Sequence, residues 1–504
     1  MLQLRSIAHV AVTLFFFVGG SVSAATVTVT PDGDLQAALN AAQPGDVILL
    51  TAGATYTGNF VLPEKDGSAF IVLRTGAAPA ELPAAGVRIT PETASRLARL
   101  ASPSGDPALA TARGAHHWRI ENVEFLANAQ GAGEIIALGS GTEADAARLP
   151  HDLILDRVYV HGDAITGQKR GIALNSGAAQ ILNSYIADIK SLTQDAQAIA
   201  GWNGTGPYLI ENNYLEASGE NILFGGADPA IWNLVPSDIT IRRNLLTKRV
   251  PWRREKWRVK NLLELKNARR VLVEGNVLEN NWTAAQNGIA VLFTPRNQQG
   301  HAPWPVVEDV TFQYNVVRHA GGAFNISGFD DAQPSGQTSR IRIANNVIYD
   351  IDAAGWGGAG AFLLIGHSPR SVTIDHNTSW QSGNIITAYG RAGGVAEPIE
   401  AFVLRDNILR HNKYGIVGDS VATGLATLAA YFPGAVVERN VLAGAKASAY
   451  PAGTLTPAMD EMEKAFVDAA AGNFTLVAGG PFAHVSTTGG PAGAIGSGSE
   501  EGTP

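Results

Sequence analysis

The stretches Phe312-Gln-Tyr-Asn315-Val and Ile343-Ala-Asn-Asn346-Val, 31 residues apart, decide the fold of this 504-residue chain. Each places an apolar residue, then two residues, an Asn and another apolar residue in that order. The phrase recurs at intervals of 30 to 39 residues, and its other Asn positions are Asn213, Asn244, Asn276, Asn377, Asn407 and Asn440. A repeat of this length is typical of a solenoid built from stacked structural units.

Short strands and turns make up each unit. Val271-Leu-Val273 and similar runs alternate with a period of two, which indicates strands with one buried face. Because Asn tolerates a left-handed backbone and can bond its own main chain, the Asn is interpreted as the turn residue after the strand. The Leu-x-x-Leu-x-Leu phrase of leucine-rich repeats is absent, and the Asn-Gly and Asp-Gly hairpins of propellers are scarce. The sequence predicts an all-β, right-handed parallel β-helix of about 11 coils.

Composition excludes several classes of protein. With 45% apolar residues the chain is not disordered, and 56 Gly with only 16% charged residues argue against a coiled coil or helix bundle. The absence of Cys excludes disulfides, Cys-bound metals and thiol nucleophiles. The net charge is −8.

The start of the chain indicates export. Arg5, a short apolar core from Ala11 to Val18 and small residues up to Ala24 form a secretory signal pattern, and the apolar run is too short for a membrane span. Secretion without Cys fits a bacterial periplasmic or extracellular protein, and we expect a monomer. The predicted segments are a signal peptide (1–24), an N-terminal cap with the first coils (25–117), the β-helix repeats (118–455), a C-terminal cap (456–486) and a flexible tail (487–504).

Short helices are expected to cover both ends of the solenoid. Residues 34–42 form an amphipathic pattern followed by Pro44-Gly-Asp46 and a strand at Val47–Leu50. Residues 458–470 indicate a second helix near the other end. Caps of this kind protect the open sheet edge that a terminal coil would otherwise expose.

A second apolar strand lies between successive Asn phrases, and its end carries ionisable residues. When these strands are aligned, a ridge of titratable side chains is predicted with neighbours about 4.8 Å apart. The ridge contains Asp228, Lys266, Arg296, Asp330 or Asp331, His367 and Arg391, with Asn175 and Trp202 in earlier coils. The alternative interpretation is a set of solvated strand ends whose charges pair across the sheet.

A basic loop between Lys248 and Lys260 adds to this ridge, with seven basic residues and one acidic residue on an otherwise acidic chain. Such local charge predicts a docking site for a polyanion, and secretion with a negative net charge argues against nucleic acid. The proposed substrate-binding residues of this loop are Trp252, Arg253, Arg254, Trp257 and Arg258, the two Trp rings being placed to stack on sugars. The alternative is a solvated loop whose charges pair locally.

The helix-then-Pro-Gly-Asp opening and the Asn-turn coils resemble the pectin-lyase-like superfamily of β-helix proteins. The resemblance covers most of residues 26–480 and implies the fold, whereas that superfamily includes lyases, hydrolases, epimerases, esterases and adhesins. Over residues 220–300 the chain also resembles the chondroitinase B and alginate lyase family. The strand Glu264-Leu-Lys266 followed by Arg296 carries that likeness.

This second resemblance implies a polysaccharide lyase that cleaves a uronate-containing polysaccharide by β-elimination. It implies Lys266 as the base and Arg296 as its partner in charge stabilisation, and we add His367 as a third catalytic candidate. Asp330, Asp331 and Arg391 are expected to bind substrate. Calcium on acids and Asn is a feature of that family, and its ligands here would be Glu220, Asn221, Asp228 and Glu264.

Two alternatives stay open. Asp330-Asp331, Gly366-His-Ser368 and Arg391 follow the order of acids, His and basic residue in polygalacturonases, although the Asn-Thr-Asp strand of those hydrolases has no counterpart. An inverting hydrolase would need two carboxyls about 6.5–9.5 Å apart. The other alternative is a non-catalytic, carbohydrate-binding or adhesive solenoid, for which the ridge would be a scatter of ion pairs.

Overall fold

A computed structural model describes residues 24–495, and nearly all of its regular structure lies in three long parallel sheets. Each coil contributes one strand to each sheet, so the chain winds as a right-handed parallel β-helix, which confirms the predicted fold. Apart from Ala24, the predicted signal peptide lies outside the described residues. Among the residues described, every helix is too short or too polar to cross a membrane.

Sheet A carries the strands that precede the Asn phrases. Its 14 strands are Thr26–Val29, Val47–Leu50, Ile71–Thr75, His116–Glu121, His151–Asp156, Gly177–Leu182, Gly206–Glu211, Ser237–Arg242, Ala268–Glu274, Val307–Gln313, Ser339–Ala344, Arg370–Asp375, Val403–Arg405 and Val436–Glu438.

Sheets B and C follow in each coil. Sheet B has 13 strands, which are Thr55–Thr57, Ala98–Ala101, Val123–Phe125, Tyr159–His161, Tyr185–Ile189, Tyr214–Ala217, Leu245–Thr247, Val277–Asn281, Val316–Ala320, Val347–Ile351, Thr378–Gln381, Ile408–Arg410 and Val441–Ala443. Sheet C has 12 strands, which are Phe60–Leu62, Leu109–Thr111, Glu134–Leu138, Arg170–Leu174, Gln197–Gly201, Glu220–Phe224, Leu263–Leu265, Ile289–Phe293, Gly322–Ser327, Ala361–Gly366, Ile386–Tyr389 and Ile416–Gly418.

The core of the solenoid consists of stacked rows of apolar side chains. In sheet C one inward row runs through consecutive coils in register, and its members include Ile172, Ile199, Ile222, Leu263, Val291, Phe324 and Leu363. All of them are buried. Because side chains alternate across a strand, the residues between these positions point to the outer face. That outer row is mostly apolar, with Ala173, Ala200, Leu223 and Leu292, and Glu264 and Asn325 are among its polar members.

The repeated Asn residues form a buried ladder along the turn between sheets A and B. The Asn315 backbone N–H donates to Asn346 Oδ1 at 2.9 Å, and its side-chain amide donates to the same oxygen and to the carbonyl of Val273. Asn276 donates to Asn315 in the same way. The ladder satisfies backbone groups that the corner would otherwise bury without partners.

The left-handed turn position predicted for the Asn belongs instead to the residue before it. Tyr314, Asn345 and His376 have φ values of 55°, 55° and 52° and directly precede ladder Asn residues. The prediction about the Asn backbone was therefore wrong. The Asn side chain supplies hydrogen bonds to the neighbouring coil, and the preceding residue makes the turn.

The N-terminal cap is as expected, since a helix at Leu35–Ala41 is capped by Asp34 and followed by the strand Val47–Leu50. The other α-helices are Ala353–Trp356, Leu425–Tyr431 and Met459–Lys464, and the short 3₁₀ helices are Pro79–Glu81, Pro91–Arg96, Ala146–Arg148, Val250–Arg254 and Ala447–Ala449.

The C-terminal cap differs from the sequence expectation. The second cap helix ends at Lys464, and an antiparallel hairpin of Phe466–Asp468 and Asn473–Leu476 replaces its predicted second half. Phe466 and Phe474 pack on Trp380 of sheet B with ring centroids 6.2 and 5.6 Å away. Within the predicted tail, Thr487 donates from its backbone and its hydroxyl to Asp406, so the described part of this segment is docked on the solenoid.

Candidate active site

A polar cavity of about 530 Å³ opens on the outer face of sheet C, and we name it the sheet C groove. The coils from Glu134 to Lys266 form its floor, and the turn 225–227 with Gln298 forms one wall. Its charged residues are Glu134, Lys169, Arg170, Asp195, Glu220, Lys260 and Lys266, and Trp202 adds an aromatic surface. The groove therefore combines four cations with three anions and one indole ring.

Four residues at equivalent strand positions form a hydrogen-bonded chain across the groove. Glu134, Arg170, Gln197 and Glu220 are register partners in successive strands of sheet C. Arg170 contacts Glu134 and donates from Nε to Gln197 Oε1 at 3.1 Å. Gln197 in turn donates to Glu220 Oε2 at 2.9 Å. This chain fixes the floor of the groove and holds Arg170 over the Trp202 ring at 5.0 Å.

Glu220 is fully buried at the end of this chain, and Lys260 neutralises it. The Lys260 ammonium contacts Glu220 Oε1 and lies 3.0 Å from Asp195 Oδ2. Burial alone would raise the pKa of Glu220, but Lys260 and then Lys266 outweigh burial and hold that pKa below its ordinary value. Burial would likewise lower the pKa of Lys260, and Glu220 with Glu264 raises it instead. The pair is thus an ion pair inside the protein.

Lys266 lies one coil further on, at the end of the strand Leu263–Leu265, and its side chain reaches the groove. Its Nζ is 3.4 Å from Glu264 Oε1, and Glu264 is buried beneath it. Burial raises the pKa of Glu264, Lys266 opposes the rise, and Glu220 adds to it.

Arg296 lies beside Lys266 in the backbone but not in the groove. Its N–H donates to the Lys266 carbonyl at 3.0 Å, whereas its guanidinium reaches the next coil and bonds Asp330 at 2.7 Å and Asp331 at 2.5 Å. The Asp330 side chain is 0% exposed and also accepts from the Asn297 backbone N–H. The pKa of Asp331 is lowered by its hydrogen bond to Arg296.

His367 and Arg391 belong to coils farther along the predicted ridge. The positions equivalent to Lys266 in the next coils are Thr294, Ser327 and Gly366, so His367 follows about 14 Å along the axis. His367 Nδ1 is 3.2 Å from Glu397, and its ring meets Tyr389 edge-on at 5.1 Å. Arg391 donates to the Asp419 carbonyl. The predicted ridge is therefore not a single row, because its ionisable residues take different register positions, and its members do not form one cluster.

The basic loop does not offer its Trp rings to a ligand. Trp252 and Trp257 are 2% and 8% exposed, and they enclose the Lys190 ammonium at 5.1 and 4.9 Å from their ring centroids. The expectation that these rings stack on sugars was wrong, because they form a small core under the loop.

The basic residues of this loop are partly engaged within the protein. Arg253 covers Trp356 at 4.7 Å, Arg258 pairs with Asp195, and Arg254 is exposed. Lys248 is completely buried, and its three N–H groups face four acceptors within 3.1 Å of Nζ, the carbonyls of residues 217, 219 and 261 and Asn221 Oδ1. Burial lowers the pKa of Lys248 to about 7. Two of the seven basic residues, Lys248 and Lys260, therefore hold the fold together instead of forming a surface patch.

The contacts of the proposed calcium ligands do not fit a calcium site. Lys260 occupies the free side of Glu220, Lys266 lies against Glu264, and Asn221 Oδ1 accepts from Lys248. Asp228 lies in the following loop, where it accepts from the His301 backbone at 2.8 Å. A calcium ion needs several oxygens that converge on one point. Here lysine ammonium groups already occupy the positions beside these oxygens, where the ion would have to bind.

The one group of three close acidic and His ligands found among residues 24–495 is Asp375, His376 and Asp406. Its carboxylates are already engaged: Arg342 and Arg405 lie 3.3 Å from Asp375, and Thr487 bonds Asp406. This cluster therefore anchors the C-terminal segment to the solenoid.

The predicted ridge was based on the ends of the sheet C strands, so the groove residues at the beginnings of these strands were missed. Glu134, Arg170 and Gln197 occupy the same register position as Glu220, so aligning the strand starts would have found them. Lys169 and Lys260 precede strands in loops without a repeated phrase, and no sequence pattern points to them.

Searches for related proteins give structural matches alone. No family model matches the sequence, and no curated protein sequence matches it. A variant of AlyGC, an alginate lyase of the PL6 family, superposes with a TM-score of 0.52 at 13% identity, covering 95% of this chain and 59% of that chain. At such identity the match demonstrates the shared β-helix fold.

Two further matches have lower TM-scores. A mannuronic acid-specific family 6 lyase from human gut microbiota gives 0.49 at 11% identity, covering 87% of this chain and 84% of that chain. The PL6 lyase Pedsa3628 from Pseudopedobacter saltans gives 0.48 at 12% identity, covering 84% and 95%.

Proposed function

We propose that this protein is a bacterial polysaccharide lyase of the periplasm or the exterior, which cleaves a uronate-containing polysaccharide by β-elimination. The observation that carries the proposal is the position of Lys266, a side chain that reaches an open groove in which four cations outnumber three anions. An anionic sugar chain complements such a groove, since fixed positive charge in a low-dielectric cleft attracts and orients carboxylates.

The reaction requires three groups. A base removes the proton beside the uronate carboxylate, and the electron pair left behind forms a carbon–carbon double bond. The bond to the glycosidic oxygen breaks, and a general acid gives that oxygen a proton. A cation near the carboxylate stabilises the charge that develops there, which makes the first proton easier to remove.

Lys266 is the proposed base, because its amine lines the groove and can accept a proton when neutral. Lys169 is the proposed partner of the uronate carboxylate. It lines the groove, and within residues 24–495 no carboxylate lies within ion-pair distance of it. Arg170 and Trp202 are placed to orient the sugar, since the guanidinium is fixed over the indole.

Arg296 has no direct role in this proposal, because Asp330 and Asp331 in the next coil neutralise its guanidinium. His367, Asp331 and Arg391 lie in later coils of the solenoid, where a longer substrate chain would pass. They are proposed as binding residues, with Arg253, Arg254 and Arg258 supplying positive charge beside the groove.

Hydrolysis is less well supported by the same geometry. The acid pair expected for it is Asp330 and Asp331, and Asp330 is buried in bonds to Arg296 and to the Asn297 backbone. A general acid or base needs access to the glycosidic bond or to water. Asp330 has neither.

Purified protein should be incubated with alginate, pectate, chondroitin and heparin while the ultraviolet absorbance of a double bond conjugated to a carboxylate is followed. The proposal expects absorbance to rise with one of them. New reducing ends without absorbance would indicate hydrolysis, and retention of a polymer without either product would indicate an adhesin. Lys266→Ala tests the role of the proposed base and should lose product formation. Its matched control is Lys446→Ala, which removes an exposed lysine far from the groove and should keep the activity.

A further inference from the structure

An exposed tryptophan lies outside the sheet C groove and has no role in the proposed reaction. Trp232 is 77% exposed, although large apolar side chains are usually covered. Its ring meets that of Trp304 at 4.5 Å between centroids, at an angle of 61°. The two residues come from the loops that follow the strands Glu220–Phe224 and Ile289–Phe293.

The exposure of Trp232 is built into a well-anchored loop. Its neighbours Ile231 and Leu234 are buried with Leu149 in a small apolar cluster. The Ile231 N–H donates to Asn203, and the Leu234 carbonyl accepts from Trp304 Nε1 at 3.1 Å. The loop is thus pinned on both sides of Trp232, while the indole itself is held out toward solvent.

A cavity of about 400 Å³ adjoins the ring, and Trp232 shares its lining with Asp238, Arg269 and Arg270. Asp238 and Arg270 form a two-point ion pair with both distances 2.7 Å, and each side chain is about half exposed. An indole face beside such a pair presents an apolar surface with adjacent donors and acceptors. That combination matches a sugar ring, which has an apolar face of C–H groups and a rim of hydroxyls.

The two loops that hold the Trp pair also form the wall of the groove. Residues 225–227 and Gln298 line the groove, and the loops are joined where Gln299 accepts from the Asp228 N–H at 2.6 Å. A chain leaving the groove over this wall reaches Trp232 within the same two loops. The continuity connects the Trp pair to the proposed substrate path.

We infer that Trp232, supported by Trp304 and the Asp238–Arg270 pair, is a remote subsite that binds a sugar unit of the polysaccharide outside the groove. This inference rests on the proposed function for the identity of the ligand. According to this inference, the preference for long polysaccharide chains comes from a surface of the protein that contains none of the proposed catalytic residues.

The test compares Trp232→Ala with Tyr414→Ala, which removes an exposed ring beside the last strand of sheet C, Ile416–Gly418. On whichever of alginate, pectate, chondroitin or heparin is cleaved, Trp232→Ala should raise KM for the polymer about threefold to tenfold and leave kcat unchanged. KM for the shortest cleaved oligosaccharide should stay the same. Equal effects on both substrates, or none, would overturn the inference.

A binding measurement separates this inference from the proposed function. Migration of the folded proteins in native gels containing each polymer reports binding without turnover. If wild type cleaves nothing but is retarded and Trp232→Ala is not, the lyase proposal fails and the subsite stands. If wild type and Trp232→Ala migrate alike in every polymer, the subsite does not exist.

Discussion

Replacing Lys260 by Met should expose the energetic cost of burying Glu220. The Glu220 side chain is 0% exposed, and the substitution leaves its Oε2 bonded to Gln197 while Oε1 loses the ammonium beside it. Breaking a buried ion pair by removing one partner costs about 3–5 kcal/mol, because the remaining charge is desolvated without compensation. We expect a loss of that size in the free energy of unfolding, measured by urea denaturation.

The double variant Lys260→Met/Glu220→Gln tests the reason for the loss. Without the buried charge, the penalty of removing Lys260 should shrink by about 2–3 kcal/mol relative to the single variant. Asp195→Asn is the control, because Asp195 is partly exposed and its pairing with Lys260 should contribute less than about 1 kcal/mol. If Lys260→Met costs the same with Glu220 and with Gln, the ion-pair account of the groove floor is refuted.

Three further outcomes are expected. Asn315→Ala should lower the free energy of unfolding by about 3 kcal/mol or more, since it strands the Asn276 N–H and the Val273 carbonyl; a loss below about 1 kcal/mol would show that the ladder is replaceable. Because the pKa of Lys248 falls from 10.5 to about 7 on folding, the unfolded chain binds the extra proton between these values. Wild-type stability should therefore rise relative to Lys248→Met by up to about 1.4 kcal/mol per pH unit in that window, and parallel urea–pH curves would contradict this. Calcium should leave the thermal midpoint of wild type unchanged, because Lys260 occupies the acids; a midpoint that rises with calcium concentration would reveal a site.

The fold could be predicted because the β-helix repeats one local pattern many times. Each coil places Asn at the same corner and apolar residues in the same rows, so a single short phrase reported the architecture. The same phrase gave the wrong residue for the left-handed turn position. Any residue before the Asn can make that turn, from Tyr314 to His376, and so the sequence does not mark it.

The site was harder to predict because its residues come from loops and strand starts of different lengths. Lys266 follows a strand and could be aligned, whereas Lys260 reaches Glu220 from an irregular loop. The direction of a long side chain is also set by its neighbours. Arg296 was correctly placed beside Lys266 in the backbone, yet Asp330 and Asp331 draw its guanidinium into the next coil. Trp252 and Trp257 looked available because the loop is charged, but Lys190 and their own packing bury them.

The most direct measurement is the formation of unsaturated product by wild type and by Lys266→Met on an acidic polysaccharide. The account predicts that wild type generates ultraviolet absorbance from at least one polyuronate, and that Lys266→Met keeps its fold and its retention by that polymer while product formation falls by about a hundredfold or more. Unchanged product formation by Lys266→Met, or cleavage by wild type that yields reducing ends without a double bond, would contradict it.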